Sequence, residues 1–427
     1  MDKKVFYREM TAIALPVTIQ SVLQAVLSLI DQVMLSGLGN DKLAGVGLAS
    51  KFVGLFTVTV AAVVAVAGIM MAQYIGSKSK EGMSDSFFSN LYFAAFLTVF
   101  MILLSVTIPK QIIAIYSEDP LTIEQGATYL KIMAIGFLPQ TLTLMLAAVL
   151  RNVEAAKVSM VASGISVVLN TLLNYLLIFG IGIFPKMGTA GAALATSIAR
   201  IAEFLIIFVM FMKVKKQKDL CFNIKFVFES SFLKKILEIL APILVCEFLW
   251  SLGENVYGII YGHIGTKECA AMSITYPIQN IVIGALSGVS ASAGIMIGNA
   301  LGGSDHQVAY EKSKQFLKVT ITLALVISVM IAVFARCYVS VFRVDDATRQ
   351  VAVYILYAYA LVFTAKVINM VLGGGVLRSG GQTKYIMVVD IIGTWCIGVP
   401  VGFVAAYVLK LPIYYVYFMI SLEEFVR

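Results

Sequence analysis

The sequence predicts an all-α integral membrane protein: twelve transmembrane helices in two pseudo-symmetric six-helix lobes. Three observations support this. Of the 427 residues 60% are hydrophobic and only 13% charged, whereas soluble proteins carry about 25% charged residues. Apolar runs recur along the whole chain, most of them reaching the roughly 20 residues that cross a hydrocarbon core. The two halves also match each other at a nearly constant offset.

The runs lie at 12–37, 46–75, 87–108, 126–149, 158–182, 189–212, 236–261, 270–300, 315–335, 350–376, 385–408 and 411–424. The first follows the polar start MDKKVFYREM, and charged or turn-forming clusters separate the rest. The twelfth is short. No cleavable signal peptide is expected, because the first run is too long for a signal core and lacks a small-residue cleavage site.

At an offset of 226, Pro16 meets Pro242, Gly39 meets Gly265 and Ala44 meets Ala270. Gly68-Ile69-Met70 meets Gly294-Ile295-Met296, and Gly76 meets Gly302. After a slip of one residue, Val149-Leu150-Arg151 meets Val376-Leu377-Arg378 and Lys157 meets Lys384. The expected organisation is an N-lobe (1–212, helices 1–6), a cytoplasmic inter-lobe linker (213–235) and a C-lobe (236–427, helices 7–12). Six spans per half is even, so the copies run in the same direction, as in secondary transporters built from parallel repeats.

Loop charges orient the chain. With the N-terminus inside, cytoplasmic segments hold nineteen Lys and Arg against eight on the other side, which places both termini in the cytoplasm. The formal charge of +8 is the same loop bias and calls for no nucleic-acid partner. The cations of KVKKQKDLCFNIKFVFESSFLKK read as a solvated linker. Five scattered Cys, two His and two Trp form no metal-ligand spacing. The chain has no P-loop, HExxH or GxSxG, so no enzyme and no cofactor are expected. Gly373-Gly374-Gly375 and Gly380-Gly381 read as a helix break.

Charges inside spans cost roughly 2.5–3.5 kcal/mol at mid-bilayer even on the mildest scale, so those present mark an interior face. In the first span Gln20, Gln24, Ser28 and Asp31 follow at steps of four, four and three, forming one polar stripe. The seventh span carries Glu247, Ser251 and Glu254 at steps of four and three, with Tyr257 opposite Asp31 in the repeat. Asn170 and Asn174 share a face of the fifth span, and Thr196, Arg200 and Glu203 lie in the sixth. Lys366 and Asn369 fall in the tenth and Asp390 in the eleventh. Arg200 and Glu203 read as a local pair. Lys366 either neutralises Glu247 or Asp390, or takes part in ion coupling. Asp31 has no evident cation partner and is the acid that reads most readily as functional.

The pattern D-x-x-M-x-x-x-L-G at Asp31–Gly39, followed by LAGVGLA at 43–49, resembles the first-helix signature of multidrug and toxic compound extrusion (MATE) transporters. NTLLNYLLIFG at 170–180, GTAGAALATSIAR at 188–200, EFLWSLG at 247–253 and KVINMVLGGGVLRSGGQTKY at 366–385 resemble the bacterial branch. The resemblance covers essentially the whole chain. It implies a MATE-like fold with a V-shaped central cavity, extruding small organic cations and other drugs against inward H⁺ or Na⁺. Carried over by position, Asp31, Asn170, Asn174 and Thr196 form the N-lobe cation-coupling cluster, a possible Na⁺ site. Glu247 resembles the seventh-helix acid, and with Asp390 it would attract cationic drug in the C-lobe. Three departures stand out. Asn174 replaces an Asp of some members, Lys366-Val367 stands where sodium-coupled members carry Asp, and Gln382 replaces a common loop Asp.

The function expected is therefore a secondary active multidrug antiporter of the bacterial cytoplasmic membrane, working as a monomer in the lipid bilayer. Asp31 would bind H⁺ or Na⁺, with the amides and the Thr196 hydroxyl completing an oxygen shell. A lipid-linked glycan flippase would need a more cationic cavity. A channel or a membrane-embedded enzyme fits the repeat and the motifs less well.

Overall fold

The computed structural model describes residues 3–36, 40–218, 220, 222, 230–342 and 344–427. Among these, eleven helices are long and apolar enough to cross a membrane. The chain begins with α1 (Lys3–Ser36), α2 (Asn40–Gly76), α3 (Lys80–Thr107) and a short α4 (Pro109–Ala114). The fourth span is α5 (Pro120–Met133) and α6 (Phe137–Asn152), joined through a tight 3-10 turn at Ala134–Gly136. Then come α7 (Ala156–Phe179), α8 (Thr189–Gln217), α9 (Ser230–Ile264), α10 (Thr266–Gly302), α11 (His306–Ser340) and α12 (Asp346–Val371). The eleventh span combines α13 (Thr383–Ile391) and α14 (Val399–Phe403) with intervening and following π turns. The twelfth is short, α15 (Ile413–Ser421) followed by α16 (Glu423–Val426). Of the expected linker 213–235, residues 219, 221 and 223–229 lie outside the described residues; its start continues α8 to Gln217 and its end, from Ser230, already belongs to α9.

Side-chain caps start several helices. Ser79 accepts from the Gly82 amide at 3.1 Å, Asp119 from Thr122 at 2.8 Å, Asp305 from Val308 at 3.0 Å and Asp345 from Thr348 at 3.2 Å. Such caps satisfy backbone donors that the first turn leaves free. The four form two pairs at the repeat offset, Ser79 with Asp305 and Asp119 with Asp345. In the loops, hydrogen bonds from the Thr122 and Thr348 side chains and amides hold Asp119 and Asp345 below the ordinary carboxylate value of 3.8. A lowered folded-state pKa contributes stability above that value, and the contribution disappears as pH falls through the folded pKa.

The caps also locate the register slip. Asp119 and Asp345 still match at 226, whereas Arg151 and Arg378 match at 227. The extra residue therefore enters between the start of α12 and Arg378. The first copy has its 3-10 turn in this stretch; the second has a π turn at Leu372–Leu377. One added residue is taken up by widening a helical turn, as π bulges do, and no loop is needed.

By internal packing the chain forms two units: Thr11–Leu237, and Glu238–Arg427 together with Met1–Met10. The opening turns of α1 thus belong to the C-terminal unit, and the first turns of α9 to the N-terminal one. Shortly beyond each crossover stands a proline inside the helix, Pro16 in α1 and Pro242 in α9, where the backbone loses one hydrogen bond.

In the N-terminal unit the core is centred on α2, α3, α5 and α6, with Phe56 stacked on Phe137 at 4.1 Å. In the C-terminal unit Phe6, only 1% exposed, meets Phe316 edge-to-face at 5.0 Å, and Glu9 pairs with Lys312 at 3.7 Å. Phe6→Ala is expected to destabilise this unit by about 3–5 kcal/mol, the usual range for emptying a buried Phe site. Thermal unfolding in detergent would show it; an unchanged melting temperature would mean that the opening turns do not hold to this unit.

Candidate functional site

The N-terminal unit assembles its polar cluster from three helices. On α7, Ser163, Ser166, Asn170 and Asn174 follow at steps of three, four and four, so they share one face, and all are buried. That face packs on α8, which presents Thr196, Arg200 and Glu203, while α1 supplies Gln20 and Asp31.

The Asn174 amide donates to the Asp31 carboxylate at 2.7 Å and to the Asn170 carbonyl oxygen at 2.9 Å. Asn170 in turn donates to the Thr196 hydroxyl at 3.1 Å, and Thr196 donates to the Ala192 carbonyl at 3.0 Å. The four residues expected to form the N-lobe cluster are thus joined in one hydrogen-bonded chain. The Asn174 side-chain oxygen is buried without a hydrogen-bond partner. Leaving a buried acceptor unmatched costs about 1–3 kcal/mol, so the site has an acceptor to spare beside a carboxylate. A proton or Na⁺ suits that donor set; among the described residues no group of three or more His, Cys, Asp or Glu side chains could hold a metal ion.

A second group lies on the same helices. Gln20 donates to Ser163 at 2.8 Å, and Ser163 donates to Glu203 at 2.5 Å. Arg200 pairs with Glu203 at 3.2 Å. The local pair expected from sequence is present, and Ser163 and Gln20 extend it. Asp31 does have a cation within electrostatic reach, Arg200, which corrects the expectation that it had none. The polar stripe of α1 divides: Gln20 serves Glu203, Asp31 serves Asn174, Gln24 is half-buried and Ser28 is exposed. Tyr129 of α5, also within electrostatic reach of Asp31, was not singled out by sequence spacing.

In the C-terminal unit Lys366 pairs with neither of the two acids expected as its partners. Glu247 is bound by Arg378 at 3.0 Å, Asp390 by Arg427 at 3.8 Å, and Lys366 reaches Glu424 at 3.9 Å. The reason is position: Arg378 and Arg427 lie closer to those acids than Lys366 does. Glu254 is exposed. Three residues missed in the sequence, Glu423, Glu424 and Arg427, stand at the centre of this arrangement. Their signal was three charges within five residues ending an apolar run.

An all-helical membrane protein of duplicated organisation, with a carboxylate–amide cluster on its first, fifth and sixth spans, has the architecture of a secondary transporter. The MatE family model matches residues 16–176 and 242–404, one stretch in each half beginning on Pro16 and Pro242. The chain belongs to the MATE family of transporters. It is similar to a probable multidrug resistance protein NorM of Photorhabdus laumondii, 25% identical, covering 93% of this chain and 87% of that one. A probable multidrug resistance protein NorM of Thermotoga maritima is 24% identical, covering 93% and 85%. Among solved structures, the outward-facing conformation of a multidrug resistance MATE family transporter has a TM-score of 0.90. It is 18% identical and covers 98% of this chain and 92% of its own. That likeness concerns the fold.

Proposed function

We propose that this chain is a multidrug exporter that moves small organic cations and other xenobiotics outward in exchange for H⁺ or Na⁺. The setting is a bacterial cytoplasmic membrane, with a monomer as the working unit and both termini inside. The family and the names of the relatives support drug efflux. The observation that carries the coupling is the Asp31–Asn174 pair, a carboxylate held by one amide whose own oxygen is unmatched.

In this reading Asp31 is the group that exchanges its ion. Asn174 and Asn170 hold the carboxylate in place, and Thr196 anchors Asn170 to α8. An ion bound there removes the uncompensated charge and favours the state with weaker drug affinity. Ion entry then drives drug exit, because two ligands that prefer opposite states are linked through the equilibrium between those states. Glu247 carries Arg378 at its side, so it offers a cationic drug less attraction than a free carboxylate would.

Efflux of a fluorescent organic cation from proteoliposomes, driven separately by a pH gradient and by a Na⁺ gradient, tests the proposal. Efflux under at least one gradient, absent from protein-free vesicles, is expected. Efflux indifferent to both gradients would sink ion coupling.

A further inference from the structure

The two units fill the same place in the repeat differently. In the N-terminal unit Phe56 is fully buried and stacks on Phe137, and Phe52 packs against the same core. At the offset of 226, Phe52 corresponds to Ile278 and Phe56 to Val282, so α10 lacks both rings. Pro277 stands just before them inside α10, where one backbone hydrogen bond is lost and the helix is bent. Its counterpart in α2 is Lys51.

Space opens in the C-terminal unit beside these residues. A cavity of about 250 Å³ lies between α10 and α11, floored by Leu356 of α12. Ile278, Val282 and Ala285 form one wall, and Ile327, Phe334 and Tyr338 the other. Tyr338 alone among the described lining residues carries a side-chain oxygen or nitrogen. Its hydroxyl donates to the Ile274 carbonyl at 2.9 Å, which ties α11 to α10 and closes the groove at that end.

The groove is continuous with the apolar outer face of its span. Met330 and Phe334 form the lip, 50% and 57% exposed, beside exposed Val326, Val329 and Val333 of α11. In a membrane-spanning chain such a face meets lipid. On α11 the lining runs from Ile327 to Tyr338, about 16 Å of helix, which is roughly half of the hydrocarbon core of about 30 Å. Tyr338 then falls at the interface, where tyrosine is enriched. A groove one leaflet long, apolar throughout and open to the bilayer matches a single acyl chain.

Charge marks the headgroup end. Lys267, Ile274, Ile278 and Ala285 follow at steps of seven, four and seven, so they share one face of α10. Lys267 is exposed. It acts on Asp345 from longer range, and that carboxylate already accepts from the Thr348 hydroxyl at 2.6 Å. A lysine stem lies along apolar surface while its ammonium stays in the wet headgroup layer, which puts a cation within reach of a lipid phosphate.

We propose that the groove between α10 and α11 seats one acyl chain of an anionic phospholipid, with the phosphate at Lys267. The chain occupies the space that two phenyl rings fill in the first copy of the repeat. The site stands on the packing of the C-terminal unit and is independent of the ion-coupled reading above.

Native mass spectrometry of the protein released from nanodiscs tests this. The discs hold equal amounts of phosphatidylglycerol and phosphatidylcholine with identical acyl chains. Wild type is expected to retain one phospholipid, with phosphatidylglycerol preferred about fivefold, the effect of about one cation at the membrane surface. Val282→Phe restores a ring of the first copy and should lower retention about tenfold, the loss of roughly two buried methylene groups. Ile278→Phe is measured in parallel, so that if thermal unfolding shows one variant to be misfolded the other decides. Lys267→Gln should keep the lipid and lose the preference. Unchanged retention in the folded Phe variants would overturn the proposal, as would equal retention of the two lipids by wild type or an unchanged preference in Lys267→Gln. A wild-type dimer that Val282→Phe separates would also overturn it, by making the groove a contact between copies.

Discussion

Asp31→Asn is expected to fold normally and to lose ion-driven export. The substitution keeps size and shape, and the Asn174 amide, 2.7 Å from the carboxylate oxygen, still finds an acceptor in the new side chain. What disappears is the charge that an incoming ion neutralises. Coupling between two ligands is typically worth 1–3 kcal/mol, about 5–150-fold in affinity. Gradient-driven efflux should therefore drop about 5–150-fold, toward the level of protein-free vesicles, with the melting temperature nearly unchanged. Full gradient-driven efflux by the variant would remove Asp31 from the coupling machinery.

Gly191→Leu is expected to damage the same site from behind. A Cβ at Gly191 would lie 2.6 Å from the Leu177 carbonyl oxygen and 2.8 Å from its carbon. Both atoms are backbone of α7, so no rotamer change relieves the clash and α7 and α8 must part. Those two helices hold Asn170 and Asn174 against Thr196, across a 3.1 Å hydrogen bond. Overpacking of this kind costs about 1–3 kcal/mol, occasionally more. Both the melting temperature and ion binding should fall, with Gly191→Ala intermediate. Gly47→Ala is the control, since nothing lies within 4 Å of its added carbon; a change there should stay within about 0.5 kcal/mol. Equal behaviour at the two positions would mean that the α7–α8 contact is not tight.

How much of this could be read from the sequence depended on what kind of contact was involved. The spans were legible because the bilayer demands long apolar helices whatever their tertiary neighbours. The Asn170–Asn174 face was legible because steps of four fix one side of a helix. Their link to Asp31 and Thr196 came from family resemblance, since no local spacing ties helices so far apart in sequence. The acid pairs of the C-terminal unit were not legible for the same reason. Lys366 has no acid within several turns on its own helix, and its choice of Glu424 over Glu247 or Asp390 depends on how α12 meets α16. Gln20 shows a subtler failure: it lies on the same helical face as Asp31, yet a stripe spanning three turns reaches two different networks.

The exchanged start of α1 has a consequence for synthesis. Phe6 and Glu9 leave the ribosome some three hundred residues ahead of their partners Phe316 and Lys312. At about 5–20 residues per second, that is a delay of roughly 15–60 s. During that time the opening turns of α1 have no finished unit to join. Contacts this distant in sequence form late, because the chain between them must be closed first. The opening turns of α1 are therefore locked in place late, by contacts that must wait for α11.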